Sequence, residues 1–232
     1  MAKHNVWMSV SDLMTGLMVI FLFVAVAYMI QVKENQSVLT EYVENRKNLH
    51  DKLVREFAAD TTRWVASIGT DLTMKFKNPE VLFASGSYEL TDSFKRILND
   101  FVPRYLDILL SSDFKDKIKE IRIEGHTDDT PAPQFNPNPF IANTMLSQLR
   151  SVSVLHYLRL MPSYQNYSNE QKARLEFLFT ANGLSYSKAL DDNGEYIYKT
   201  HRFINKPLSR RVEFRIVTTG DEVLEEFVKK NE

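Results

Sequence analysis

The chain contains no cysteine. That excludes disulfides, cysteine-ligated metals, thiol catalysis and a lipidated N-terminal cysteine. Net charge is nearly absent too: 29 Lys and Arg stand against 30 Asp and Glu, a formal charge of −1 over 232 residues. Nothing in that balance argues for a nucleic-acid partner. Glycine is scarce, at seven residues, and neither a Gly-rich phosphate loop nor a nucleophile motif occurs, so the chain reads as a non-enzyme with no cofactor. His126 and Asp128 lack the clustered partners of a metal site, and no metal is expected. The length accommodates one membrane anchor and one domain of ordinary size.

Charge is also missing from Leu13 through Ile30, a run of 18 residues. As a helix this run covers roughly 27 Å, and with the turn before it the hydrocarbon core of a bilayer is spanned. Trp7 and Tyr28 lie near its ends, where amphipathic rings favour the lipid–water interface. Asp12 is the anomaly: a carboxylate inside the membrane end costs about 3 kcal/mol unless it is protonated or faces a polar cavity. Ser9, Asp12, Thr15 and Gly16 share one helix face, a small polar seam suited to partner helices. The functional reading makes Asp12 an ion carrier supported by Ser9 and Thr15. Two plainer readings stay open: a signal peptide cleaved after Ala25-Val26-Ala27, and a passive anchor with Asp12 among the headgroups. Lys3 and His4 ahead of the helix place the N-terminus in the cytoplasm by the positive-inside rule. One carboxylate with Thr15 offers few oxygens for a metal cation, so a proton is favoured over sodium.

The expected organisation is a cytoplasmic stretch 1–7, a transmembrane helix 8–30, a helical linker 31–64 and a globular domain 65–232. The linker has no Gly or Pro between Gln31 and Asp60; Val32, Leu39 and Leu53, with Tyr42 and Leu49, give it a weak heptad stripe, read either as a short coiled coil or as a solvated spacer. In the domain, strands are expected at Leu72–Phe76, Val81–Phe83, Ile121–Ile123, Phe177–Ala181 and Val212–Ile216. Thr91 is expected to cap a helix from Asp92 to about Leu110, Ile141–Leu160 to form a long helix, and Ser168 with Gln171 a capping box. His126–Pro139 reads as a loop, Asp191–Gly194 as the turn of a tyrosine-bearing hairpin insertion, and a short helix is expected after Gly220. Strands alternating with helices give an α+β fold, a two-layer sandwich with one sheet.

Four segments carry a family resemblance. Phe83-Ala84-Ser85-Gly86-Ser87 through Leu90 resembles the "F…GS..L" opening of OmpA-like domains. Ile121-Arg122-Ile123-Glu124-Gly125-His126-Thr127-Asp128 with Pro131 resembles their "I.I.GHTD..P" strand and loop. Asn143 to Ser151 resembles "N..LS..RA", and Ser209-Arg210-Arg211-Val212-Glu213 resembles the closing "NRRVE", with Ser209 in place of Asn. The resemblance implies peptidoglycan binding through the diaminopimelate of the stem peptide, at Asp128 and Arg150, with Asn143, Leu146 and Arg210 as supports. The residue types suit such a ligand, since an arginine grips a carboxylate with paired hydrogen bonds and an aspartate accepts from an ammonium.

With the acidic membrane helix in front, the whole resembles the MotB family of ion-driven stator subunits, Trp7…Asp12-Leu13-Met14-Thr15 standing for their "W…AD.MT". The Trp-to-Asp spacing of five is one shorter than expected for flagellar MotB, and the stretch Ser9 to Tyr28 is more similar to the B subunits of Zorya anti-phage systems. That resemblance implies an inner-membrane, single-pass homodimer inside a pentameric ring of a multi-span, ZorA-like partner, with the C-terminal domain in the periplasm. A flagellar stator and a passive wall-binding tether are the competing readings.

Overall fold

The computed structural model describes residues 3–84 and 86–221, without the side chains of residues 3–9, 34, 35, 38 and 39. Ser85, the side chains of Trp7, Ser9 and Leu39, and the helix expected after Gly220 therefore lie outside what is described. Two compact units divide the chain, one up to Asn45 and one from Arg46 onward.

The first unit is helical, part of α1 (Lys3–Phe57). Within it Val10–Lys33, 24 residues of mean hydropathy 2.5, is long and apolar enough to cross a membrane, measuring about 36 Å as a helix.

The second unit opens on the last turns of α1. Leu49, Leu53 and Phe57 are buried in the domain core, so this part of the heptad stripe packs on the chain's own domain and is not free for a coiled coil. Next come α2 (Asp60–Arg63), β1 (Ala66–Ile68), β2 (Thr73–Phe76), α3 (Pro79–Leu82) and α4 (Asp92–Leu109). After these, β3 (Ile118–His126) leads to α5 (Pro139–Leu160), α6 (Pro162–Gln165), α7 (Asn169–Leu178) and β4 (Phe179–Gly183). The unit continues through α8 (Ile197–Thr200), α9 (Lys206–Ser209) and β5 (Arg211–Thr218). The sheet order is β1-β2-β5-β3-β4. Among the described strands only β3 and β4 run parallel, joined by a long helical crossover.

Thr91 caps α4 through its hydroxyl, which accepts from the Phe94 N–H, and the Ser168–Gln171 capping box opens α7. Alternation on β5 sends Val212, Phe214 and Ile216 into the core. There Phe101 of α4 meets the rings of Phe57, Trp64, Phe76, Tyr105 and Phe214 at 4.8 to 6.2 Å between centroids. Arg104 fastens α1 to α4: it donates to Glu56 Oε1 at 2.8 Å and to the Glu56 carbonyl at 2.7 Å, and it pairs with Asp60 and Asp100.

The structure corrects two expectations and adds one strand. Val81–Phe83 is no strand: Pro79 supplies a helical φ at the first turn of α3, the Asn78 carbonyl accepts from Val81 and Leu82, and Phe83 keeps a single bridge to Leu90. β1 was not foreseen, three residues being too few for a pattern. The turn at Asp191–Gly194 joins one bridge, Leu190 to Tyr196, before the chain coils into α8, so no two-stranded hairpin extends there.

Candidate functional site

The site is built where β3 ends. Gly125 lies so close to α5 that a Cβ there would collide with the Ser147 carbonyl, and one at Gly183 on β4 would collide with the Gln148 backbone. These glycines let α5 settle onto the strand ends, which sets Asn143 and Arg150 beside the loop that leaves β3. Asp128 turns that loop by accepting the Thr130 N–H at 2.9 Å. Asn143 braces it from α5, donating to the carbonyls of Thr130 at 3.0 Å and Pro139 at 3.1 Å. Leu146 packs with Ala132, Ala142 and Phe135 beneath it.

The other side of the loop is held by Ser185, which sequence reasoning missed. Its carbonyl accepts from Thr127, its N–H donates to the Ser147 hydroxyl, and its own hydroxyl donates to the Phe140 carbonyl. Ser185 adopts a left-handed φ of 52°, which costs a non-glycine residue about 1–2 kcal/mol and is offset by these three bonds.

Arg150 projects from α5 towards α3. Its guanidinium lies 4.9 Å over the Phe83 ring, and its Nε donates to the Ser87 carbonyl at 2.9 Å. Its Nη atoms have no hydrogen-bond partner among the described residues. Arg210, at the end of α9, brings Nη1 to 3.6 Å from Asp128 Oδ2. Arg210 Nε and Asp128 Oδ2 are buried without hydrogen-bond partners among the described residues. The two guanidiniums line a cleft of about 230 Å³ together with Phe83, Gly86 and Glu80. Burial and, after it, the charge of Arg210 push the Arg150 pKa down to about 10, against the opposing pull of Asp128. Arg150 is thus cationic at neutral pH but short of negative charge, and an anion entering the cleft relieves it.

Of the residues named from the sequence, Asp128, Arg150, Asn143, Leu146 and Arg210 come together here. Asp128 is only 3% exposed and stands behind Arg210 rather than on the cleft wall. Glu80 was missed, because the segment carrying it was read as leading into a strand.

A buried ionic network under the cleft was missed as well. Glu124 faces Glu213 and His126 faces Arg211 across β3 and β5. His126 Nε2 lies 3.7 Å from Glu124 Oε2 and 3.8 Å from Glu213 Oε2. Arg211 holds Glu213 at 2.6 Å, and Arg215 reaches both glutamates at 3.3 Å. Burial alone would raise both glutamates, but His126 with Arg215 and with Arg211 respectively hold them below the usual carboxylate value. Burial pushes His126 down, and Arg211 adds to that against the two glutamates. Glu124, His126 and Glu213 have the residue types of a cation site. Their carboxylates already face two guanidiniums, however, and a divalent ion would add uncompensated buried charge, so the network reads as structural. The signal was present in sequence: Arg211, Glu213 and Arg215 alternate with the apolar face of β5.

In the apolar helix, Thr15 donates its hydroxyl to the Ser11 carbonyl at 2.8 Å. Its proton is therefore used within the helix, while its oxygen lone pairs stay available near Asp12.

The chain is 36% identical over 222 residues to Zorya protein ZorB of the Crooks strain of Escherichia coli, covering 93% of this chain and 88% of that protein. The chain belongs to the ZorB family. A second ZorB, from Escherichia coli O139:H28, is 26% identical over 227 residues, 94% of this chain and 82% of the relative. Among solved structures, a MotB-like protein from Desulfovibrio vulgaris superposes with a TM-score of 0.51 at 24% identity, covering 77% of this ZorB-family chain and 98% of that structure. That likeness shows a shared MotB-like fold. No family model matches the chain.

Proposed function

We propose that this ZorB-family chain is a stator-like subunit of an anti-phage defence complex. It sits in the inner membrane with its N-terminus in the cytoplasm, grips peptidoglycan with its periplasmic domain and carries a proton on Asp12. The observation that carries the wall-binding half is the cleft of Arg150 and Arg210, two guanidiniums short of an anion, with the carboxylate of Asp128 held next to them. The side-chain end of diaminopimelate offers a matching carboxylate and ammonium. Arg150 and Arg210 take the carboxylate; Asn143 and Leu146 keep the loop of Asp128 in place.

The membrane half rests on Asp12, the one acidic residue of the apolar span Val10–Lys33. A proton taken up from outside neutralises Asp12, so it can face apolar partner surface, and its release inward returns the charge. Each charge moved releases about 2.3 kcal/mol per 100 mV of membrane potential. Two copies of the chain sit inside a pentameric ring of a ZorA-like partner. The mismatch between two and five keeps one Asp12 engaged while the other waits, and the wall contact holds the pair still as the ring turns.

The test is co-sedimentation of the full-length protein in detergent with purified sacculi. The wild-type chain pellets with them and Arg150→Ala stays in the supernatant. Equal pelleting of the two would remove the wall-binding role of the cleft.

A further inference from the structure

The lining of the cleft also holds a carboxylate that the wall-binding reading does not use, Glu80. Its position is fixed by local structure. Pro79 and Glu80 form the first turn of α3, the Thr91 N–H bonds the Leu82 carbonyl at 3.2 Å, and the Thr91 hydroxyl bonds the Val81 carbonyl. Glu80 is exposed and forms no ion pair among the described residues, so its charge is available to a ligand. Asp128 differs: one oxygen accepts from Thr130 and the other lies behind Arg210.

A ligand entering the cleft therefore meets two cations and one accessible anion. A plain carboxylate satisfies the arginines and is repelled by Glu80. An amino-acid centre satisfies both, its carboxylate on the guanidiniums and its ammonium towards Glu80. We propose that Glu80 is a specificity-determining residue, reading the ammonium so that the cleft selects a zwitterionic amino-acid centre over a simple acid. The inference rests on the wall-binding reading and adds a residue to it.

The test is calorimetric titration of the full chain in detergent with two synthetic stem tripeptides. One ends in meso-diaminopimelate; the other ends in 2-aminopimelate, which keeps the side-chain carboxylate and lacks the ammonium beside it. The wild-type protein prefers the first. Glu80→Gln binds it about threefold to fivefold more weakly, the weight of an exposed ion pair, while binding of the second holds or improves. Glu80→Lys narrows the preference further, and raised salt shrinks it in the wild-type protein. Retention of the diaminopimelate in either variant with unreduced preference overturns the role of Glu80 and leaves wall binding standing. Failure of the wild-type protein to bind either peptide overturns the wall-binding reading and this inference with it. A variant that loses both peptides equally also counts against selection by Glu80.

Discussion

Asp128 Oδ2 stands 3.6 Å from Arg210 Nη1, within ion-pair range but beyond hydrogen-bond length. The carboxylate is buried, so the pair is strongly felt yet incompletely satisfied, and a ligand that bonds either partner gains what the pair lacks.

Asp128→Asn is therefore expected to keep the fold, because its carbonyl still accepts from Thr130, and to weaken sacculus binding by about tenfold, because Arg210 loses the carboxylate that pairs with it beside the cleft. Thermal melting together with co-sedimentation checks both parts. An unchanged melting temperature with wild-type binding would show that the charge of Asp128 is idle.

Arg150→Lys tests geometry rather than charge. A lysine cannot hold the Ser87 carbonyl, cover the Phe83 ring and still offer a planar pair of donors. Binding is expected to fall nearly as far as in Arg150→Ala, measured on the same sacculi. Full binding by the lysine variant would reduce the site to a point charge.

The ionic network beneath the cleft predicts how stability responds to acid. His126 lies below its usual 6.5, so the unfolded chain takes up that proton first, and stability is lost as the pH falls through 6.5 towards the folded value. Glu124 and Glu213 lie below their usual 4.5, and their contribution is present above 4.5 and lost as the pH drops further. Melting temperature should decline in two stages. His126→Gln should remove the upper stage, and a flat profile from pH 7 to 5 in the wild-type chain contradicts this.

Gly125→Ala is expected to destabilise the domain by about 3 kcal/mol, since the added methyl meets backbone of α5 rather than a flexible side chain. Chemical denaturation of the full chain measures it. A loss under about 0.5 kcal/mol would mean that α5 shifts freely.

Much of this architecture was legible where a residue has one local job. Thr91 before Asp92, Ser168 before Gln171 and the alternation of Val212, Phe214 and Ile216 each state a cap or a face, and the structure uses each of them. Asp128 and Arg150 were legible through a motif, although nothing in their spacing said that Arg210 would stand between Asp128 and the cleft. Val81-Leu82-Phe83 misled because three apolar residues suit a strand or one buried helical turn equally, and Pro79 decided for the turn. Glu80 was lost with that choice. The His126 network was only half legible, in the alternation of Arg211, Glu213 and Arg215 along β5. Its members come from β3 and β5, nearly ninety residues apart in sequence, and the strand register that joins them is a tertiary fact.

The claim at the centre is that Asp12 gives up and regains a charge within the membrane. The most direct measurement is the plating efficiency of phage on cells carrying the complete system with Asp12→Asn, at membrane levels equal to those of the wild-type chain. Asparagine keeps the size and polarity but cannot carry the proton, so these cells should be as sensitive as cells lacking the system. Protection equal to that given by the wild-type chain would contradict the account.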